Sequence, residues 1–111
     1  MFLKSLKNIF IAKAFIGVGG IDFESGYTVS NMQEYNMYNW IKKISKEIII
    51  VADYTKFDQT SLMSVGPLTF ADTVITNENI SEEYKSYFFK NGVKIFTSYR
   101  IKTSLIRGEE E

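Results

Sequence analysis

"EIIIVAD", residues 47–53, is the stretch that decides the fold class. Ile48, Ile49, Ile50, Val51 and Ala52 form a continuous apolar run, mostly β-branched and without alternation, which is the pattern of a strand covered on both faces. Asp53 closes the run. Just upstream, Ser30 and Asn31 offer helix caps, with Gln33 and Glu34 each three residues on in the reciprocal capping arrangement. Met37, Trp40, Ile41 and Ile44 follow at helical spacing, which predicts a helix from about 31 to 45. Before it, Ala14 to Val18 reads as a buried strand running into glycines, residues 19–30 read as loop, and Phe2, Leu3, Leu6 and Phe10 suit a short amphipathic helix.

Downstream of Asp53 the sequence reads as a polar loop and a Gly66-Pro67 turn. "ADTVITNENI", residues 71–80, then predicts a strand centred on Val74 and Ile75, and Ser81 caps a helix to about Lys90. Asn91-Gly92 ends that helix. "VKIFTSY", residues 93–99, supplies one more strand, and the acidic tail "RGEEE" reads as frayed. Strands alternating with helices describe an α/β domain with a mostly parallel sheet, whose ligands are expected at the carboxyl ends of the strands. The glycines, Asp53 and Thr76-Asn77 all fall at such ends.

Composition narrows the possible chemistry. With 111 residues the chain is a single domain, and its nine Phe, seven Tyr and one Trp predict an aromatic-rich core. Thirteen basic and thirteen acidic residues cancel, so the chain lacks the basic stripe of a nucleic-acid-binding surface and is expected to bind none itself. The absence of both Cys and His removes the commonest zinc sites, thiol catalysis, disulfides and Ser-His-Asp hydrolysis. Lys4, Lys7, Asn8 and Lys13 interrupt the apolar N-terminal stretch and argue against a signal peptide, and no segment is long enough to span a bilayer. A soluble cytoplasmic protein with no membrane partner, metal or cofactor is the expectation.

Two segments are candidates for a site. Gly17, Gly19 and Gly20 fail the dinucleotide fingerprint, because Ile21-Asp22 and a loop follow where a third glycine and a helix are required. Glycines at a strand end fit either a structural turn or a ligand approach, with backbone N–H groups forming an anion nest. Asp22 and Glu24 flank this loop; by the residues alone Glu34 reads as a capping acid and Asp53 as a turn former. In "DYTKFD" the spacing lets Asp53 and Lys56 both turn toward the sheet edge, where a lysine can neutralise a phosphate or a developing enolate.

Taken together, "KAFIGVGGIDFESGYTVSNMQEYNM" (13–37), "EIIIVADYTKFDQTSLMSVGPL" (47–68) and "ADTVITNENI" (71–80) resemble the C-terminal sensor domain of DeoR-family bacterial transcriptional regulators. The resemblance runs roughly from Leu6 to Ser98. Its motifs fall on Gly17 to Asp22, Gly26 to Thr28, Glu34, and Asp53 to Phe57. It implies a three-layer, mostly parallel sheet flanked by helices, Rossmann-like and similar to ribose-5-phosphate isomerases and coenzyme A transferases. It also implies a repressor's effector-binding domain rather than an enzyme. A phosphorylated sugar or related metabolite would be held by Gly17, Gly19, Gly20, Asp22, Gly26, Thr28, Glu34, Asp53 and Lys56, and DNA by a helix-turn-helix domain absent from the chain.

Where many relatives carry Asp-Gly, this chain has Gly19-Gly20. The family's early strand and glycine-containing loop have no counterpart in residues 1–111, so the resemblance implies a partial sensor domain that begins inside the family's pattern, and the apolar surface this exposes is expected to drive homo-oligomerisation. Two other readings stand beside the sensor: a sugar-phosphate isomerase with Glu34 or Asp22 as base and Lys56 stabilising the enediolate, and an assembly-only remnant without a ligand.

Overall fold

A computed structural model describes residues 11–97. The helix expected over Phe2 to Phe10 and the acidic tail lie outside them. Strand β1 (Ile11–Gly17) leads to two short strands, β2 (Gly20–Asp22) and β3 (Gly26–Val29), and then to helix α1 (Met32–Ile44). The helix passes directly into β4 (Ser45–Val51), which is followed by a 3-10 turn at Tyr54–Lys56 and by β5 (Met63–Gly66). Strand β6 (Thr73–Thr76), helix α2 (Glu82–Lys90) and β7 (Lys94–Thr97) complete the described chain.

The α/β expectation holds: β1, β4, β6 and β7 form a four-stranded sheet in that spatial order, and every neighbouring pair is parallel. Both main helices are where periodicity puts them. Asn31 caps α1 by accepting the Glu34 N–H at 2.8 Å. Ser81 occupies the cap position of α2 without a side-chain hydrogen bond, and Gly92 ends that helix with a φ of +77°.

Two segments read as loop are strands instead. Residues 19–30 contain β2 and β3, and the polar stretch after Asp53 contains β5; together they make a separate antiparallel sheet in the order β2-β3-β5. None of the three is longer than four residues, too short for an alternation to register, and β5 pairs with β3 across more than thirty residues of chain. Such strands are created by their partner rather than by their own pattern.

Alternation assigns the two faces of the parallel sheet. Ala14, Ile48, Ile50 and Val74 share one face, joined by Ile16 and Ile95, and pack with Tyr38 of α1, with Tyr84 and Phe88 of α2, and with Ile21, Tyr27, Val29 and Val65 of the small sheet. Both helices and the small sheet therefore cover the same face. The opposite face presents Phe15, Val51 and Phe96, which are 61%, 44% and 39% exposed, around a buried Ile49. Strand β1 is thus buried on one face only, a correction to its reading as a buried strand, and β4 is covered on both faces only through Ile48–Ile50. The layer expected over the second face is not among the described residues.

Candidate functional site

Parallel strands end at one edge, so β1, β4 and β6 deliver Gly17, Val51 and Thr76 to the same side of the sheet. Beyond β4, the Ala52 N–H donates to Ile75 O at 3.0 Å, which holds the chain beside β6 for one more residue. The Asp53 carboxylate then caps the 3-10 turn, accepting from the Thr55 N–H at 2.9 Å and from the Thr55 hydroxyl. These two bonds, led by the hydroxyl, hold the Asp53 pKa below the usual carboxylate range. The Tyr54 N–H donates to Asn77 Oδ1 at 2.7 Å, tying the turn to the end of β6. Asp53 acts as a turn former here, and its turn places Lys56.

Lys56 is half-buried, and among the described residues no carboxylate lies within ion-pair distance of its ammonium. At the end of β6, Thr76 is 3% exposed, and its buried hydroxyl has no hydrogen-bond partner among the described residues. Asn77 spends its oxygen on Tyr54, which leaves the NH2 of its side chain as a donor.

The hairpin of β2 and β3 brings most of the other candidates together, in structural roles. The Gly19 N–H donates to Thr28 O at 2.8 Å, so the anion nest expected there lacks that donor. Thr28 is buried; its hydroxyl donates to Gly20 O at 3.2 Å and accepts from the Ser61 N–H at 2.8 Å. Gly20 packs against the Gln59 carbonyl, and Gly26 adopts a φ of +75° to close the turn against Gly66. Asp22 closes the same turn, accepting from the Ser25 N–H at 2.6 Å and from the Thr60 hydroxyl, and these bonds, led by Ser25, lower its pKa. Gly17 is the exception, since an added Cβ would meet only the Val51 oxygen at 3.6 Å.

Glu34 stands apart, exposed in the first turn of α1. Its Oε1 accepts from the Ser30 N–H at 3.2 Å and the Ser30 hydroxyl at 3.4 Å, which is the capping role. Neither acid that an isomerase would use as a base is poised for it: Asp22 is stabilised as the anion by its donors, and Glu34 is committed to the helix start.

The two motif segments meet through their backbones. Ile21 and Phe57 form an isolated parallel bridge, and the Asp58 N–H donates to Ile21 O at 2.7 Å. Two residues that matter here carried no sequence signal. Tyr38 donates its hydroxyl to Gly17 O from α1, and Tyr84 donates to Asp58 Oδ1 at 2.7 Å from α2. Each sits at an ordinary helical core position, so only the direction of its hydroxyl reveals the second role.

Comparison with known proteins agrees with this architecture. The model of the DeoR C-terminal sensor domain matches residues 1–78. The chain is similar to the HTH-type transcriptional regulator IolR of Bacillus subtilis (strain 168), 30% identical over 77 residues, covering 69% of this chain and 31% of the relative. It is 27% identical over 100 residues to a putative sgc region transcriptional regulator of Escherichia coli (strain K12), covering 90% of this chain and 38% of the relative. Similarity to the deoxyribose operon repressor of the same strain is 24% over 94 residues, 85% of this chain and 37% of the relative. The chain thus spans about a third of the length of the curated relatives it matches. These relatives are transcriptional regulators and not enzymes. With a parallel sheet, a braced Asp53–Lys56 turn and a match over most of its length, the chain belongs to the DeoR C-terminal sensor domain family.

Proposed function

We propose that the chain binds a phosphorylated sugar at the carboxyl edge of the parallel sheet, as the effector-sensing part of a repressor. The observation that carries this reading is Lys56, a half-buried cation with no carboxylate in ion-pair distance among the described residues, held by a capped turn where ligands of open α/β sheets gather. A phosphate takes its charge, and a sugar hydroxyl takes the Asn77 NH2. Gly17 leaves room for close approach. Gly19, Gly20, Asp22, Gly26 and Thr28 shape the wall behind the turn, and Glu34 holds the helix that follows.

Titration of the 111-residue chain with ribose 5-phosphate, glucose 6-phosphate and fructose 6-phosphate, followed by 1H–15N NMR, tests the reading. At least one should shift the Lys56 and Asn77 amides, and Lys56→Ala should weaken binding by about tenfold or more, as loss of a charge-assisted contact does. No shift with any of them at millimolar concentration overturns the ligand and leaves the assembly-only reading.

In the same reading DNA is contacted by a helix-turn-helix domain outside these residues, in the cytoplasm, and a second copy of the chain covers the Phe15, Val51 and Phe96 face. Size-exclusion chromatography with light scattering should return at least a dimer mass at micromolar concentration; a clean monomer rejects the homo-oligomer.

A further inference from the structure

We infer that the Tyr84 hydroxyl is a positioning group that locks the Lys56 turn against the β2–β3 hairpin. The inference rests on the effector-site reading, because it concerns what holds that site's lysine in place. Residues 20–28 and 53–58 are joined edge to edge through Ile21, whose carbonyl accepts the Asp58 N–H at 2.7 Å. To make that bond Asp58 takes a φ of +61°, the single positive φ at a non-glycine residue among those described. That conformation is less favourable for a residue with a Cβ than for glycine, although Asp tolerates it better than most, so contacts that hold Asp58 there stabilise the bridge.

Tyr84 supplies such a contact. Its hydroxyl donates to Asp58 Oδ1 at 2.7 Å and lies 3.3 Å from the Ile21 carbonyl, so one oxygen sits at the junction of both segments. The ring has little freedom: Tyr84 is 1% exposed, Phe23 of the hairpin turn stacks on it at 4.2 Å, and Phe57 of the lysine turn meets it edge-on at 4.9 Å. Hairpin, turn and helix α2 therefore converge on one side chain. Lys56 is two residues from Asp58 and inherits its position from this joint.

The test is amide hydrogen exchange by NMR on the full chain, with the Ile50 amide as a reference for global opening. Tyr84→Phe keeps the ring and removes the hydroxyl; exchange at residue 58 should rise about tenfold relative to Ile50, the signature of local opening. Asp58→Ala, at an exposed position, removes the acceptor but keeps the Cβ, and should do the same. The rescue separates positioning from packing, because glycine adopts positive φ freely. Asp58→Gly alone, and combined with Tyr84→Phe, should restore slow exchange at residue 58.

Unchanged exchange at residue 58 in both single variants, an equal rise at Ile50, or failure of the glycine rescue overturns the role. A ribose 5-phosphate titration then connects the joint to the site: if the parent chain binds, Tyr84→Phe should lose about fivefold in affinity and the double variant regain it. A parent chain that binds none of the three sugar phosphates rejects the effector reading, while the exchange data still decide whether Tyr84 positions the turn.

Discussion

A Cβ on Gly20 would run into the Gln59 carbonyl oxygen and come within 2.8 Å of both the Gln59 carbonyl carbon and the Thr28 hydroxyl. Backbone cannot swing aside as a side chain can, so Gly20→Ala should destabilise the fold by about 1–3 kcal/mol, the usual cost of overpacking, measured by urea unfolding. Gly17→Ala is the control, expected within about 0.5 kcal/mol because its nearest neighbour stands at ordinary contact distance. The glycines of one short segment thus have different reasons to be there. Composition marks the cluster as a turn or a site, but which glycine is indispensable depends on Gln59, thirty-nine residues away.

Helix α1 is the element most fully written into its own residues. Its cap and its reciprocal acid lie within one continuous segment, and the structure reproduces them with Asn31 as cap and Glu34 reaching back to Ser30, whereas of the apolar positions Met37 is exposed and Tyr38 takes the buried place beside Ile41 and Ile44. Asn31→Ala should cost about 1 kcal/mol, seen as a lower midpoint in thermal unfolding followed by circular dichroism. Strands β2, β3 and β5 are the opposite case. Gly20-Ile21-Asp22 has no periodicity to detect, and its strand character comes from Thr28, Tyr27 and Gly26 across the ladder. The Asp53–Lys56 turn lies between these extremes: its capping acid is legible, whereas its tie to Asn77 depends on β4 and β6 being neighbours.

At the scale of the molecule, three buried tyrosines tie the layers together through single hydrogen bonds. Tyr27 donates to Leu68 O at 2.9 Å, Tyr38 to Gly17 O, and Tyr84 to Asp58. Burial is the leading cause that raises all three phenol pKa values above the ordinary 10.0. Because the folded state holds these protons more tightly than the unfolded chain, their contribution is complete below the unfolded pKa and is lost as pH rises toward the folded values. The urea midpoint should therefore fall above about pH 10; a midpoint that stays constant from about pH 9 to about pH 11 would contradict the burial.

By itself the sequence determined the α/β class, both helices with their boundaries, the four parallel strands and the family, because each rests on local periodicity, capping or a motif in fixed order. Tertiary structure alone decided that β5 joins residues 19–30 in a second sheet, that both helices cover one face, that Gly20 packs against the Gln59 carbonyl, and that the Thr28 hydroxyl meets the Ser61 N–H. Those outcomes depend on which distant backbone atom a donor or a Cβ meets, and no local pattern encodes a partner some thirty or more residues away.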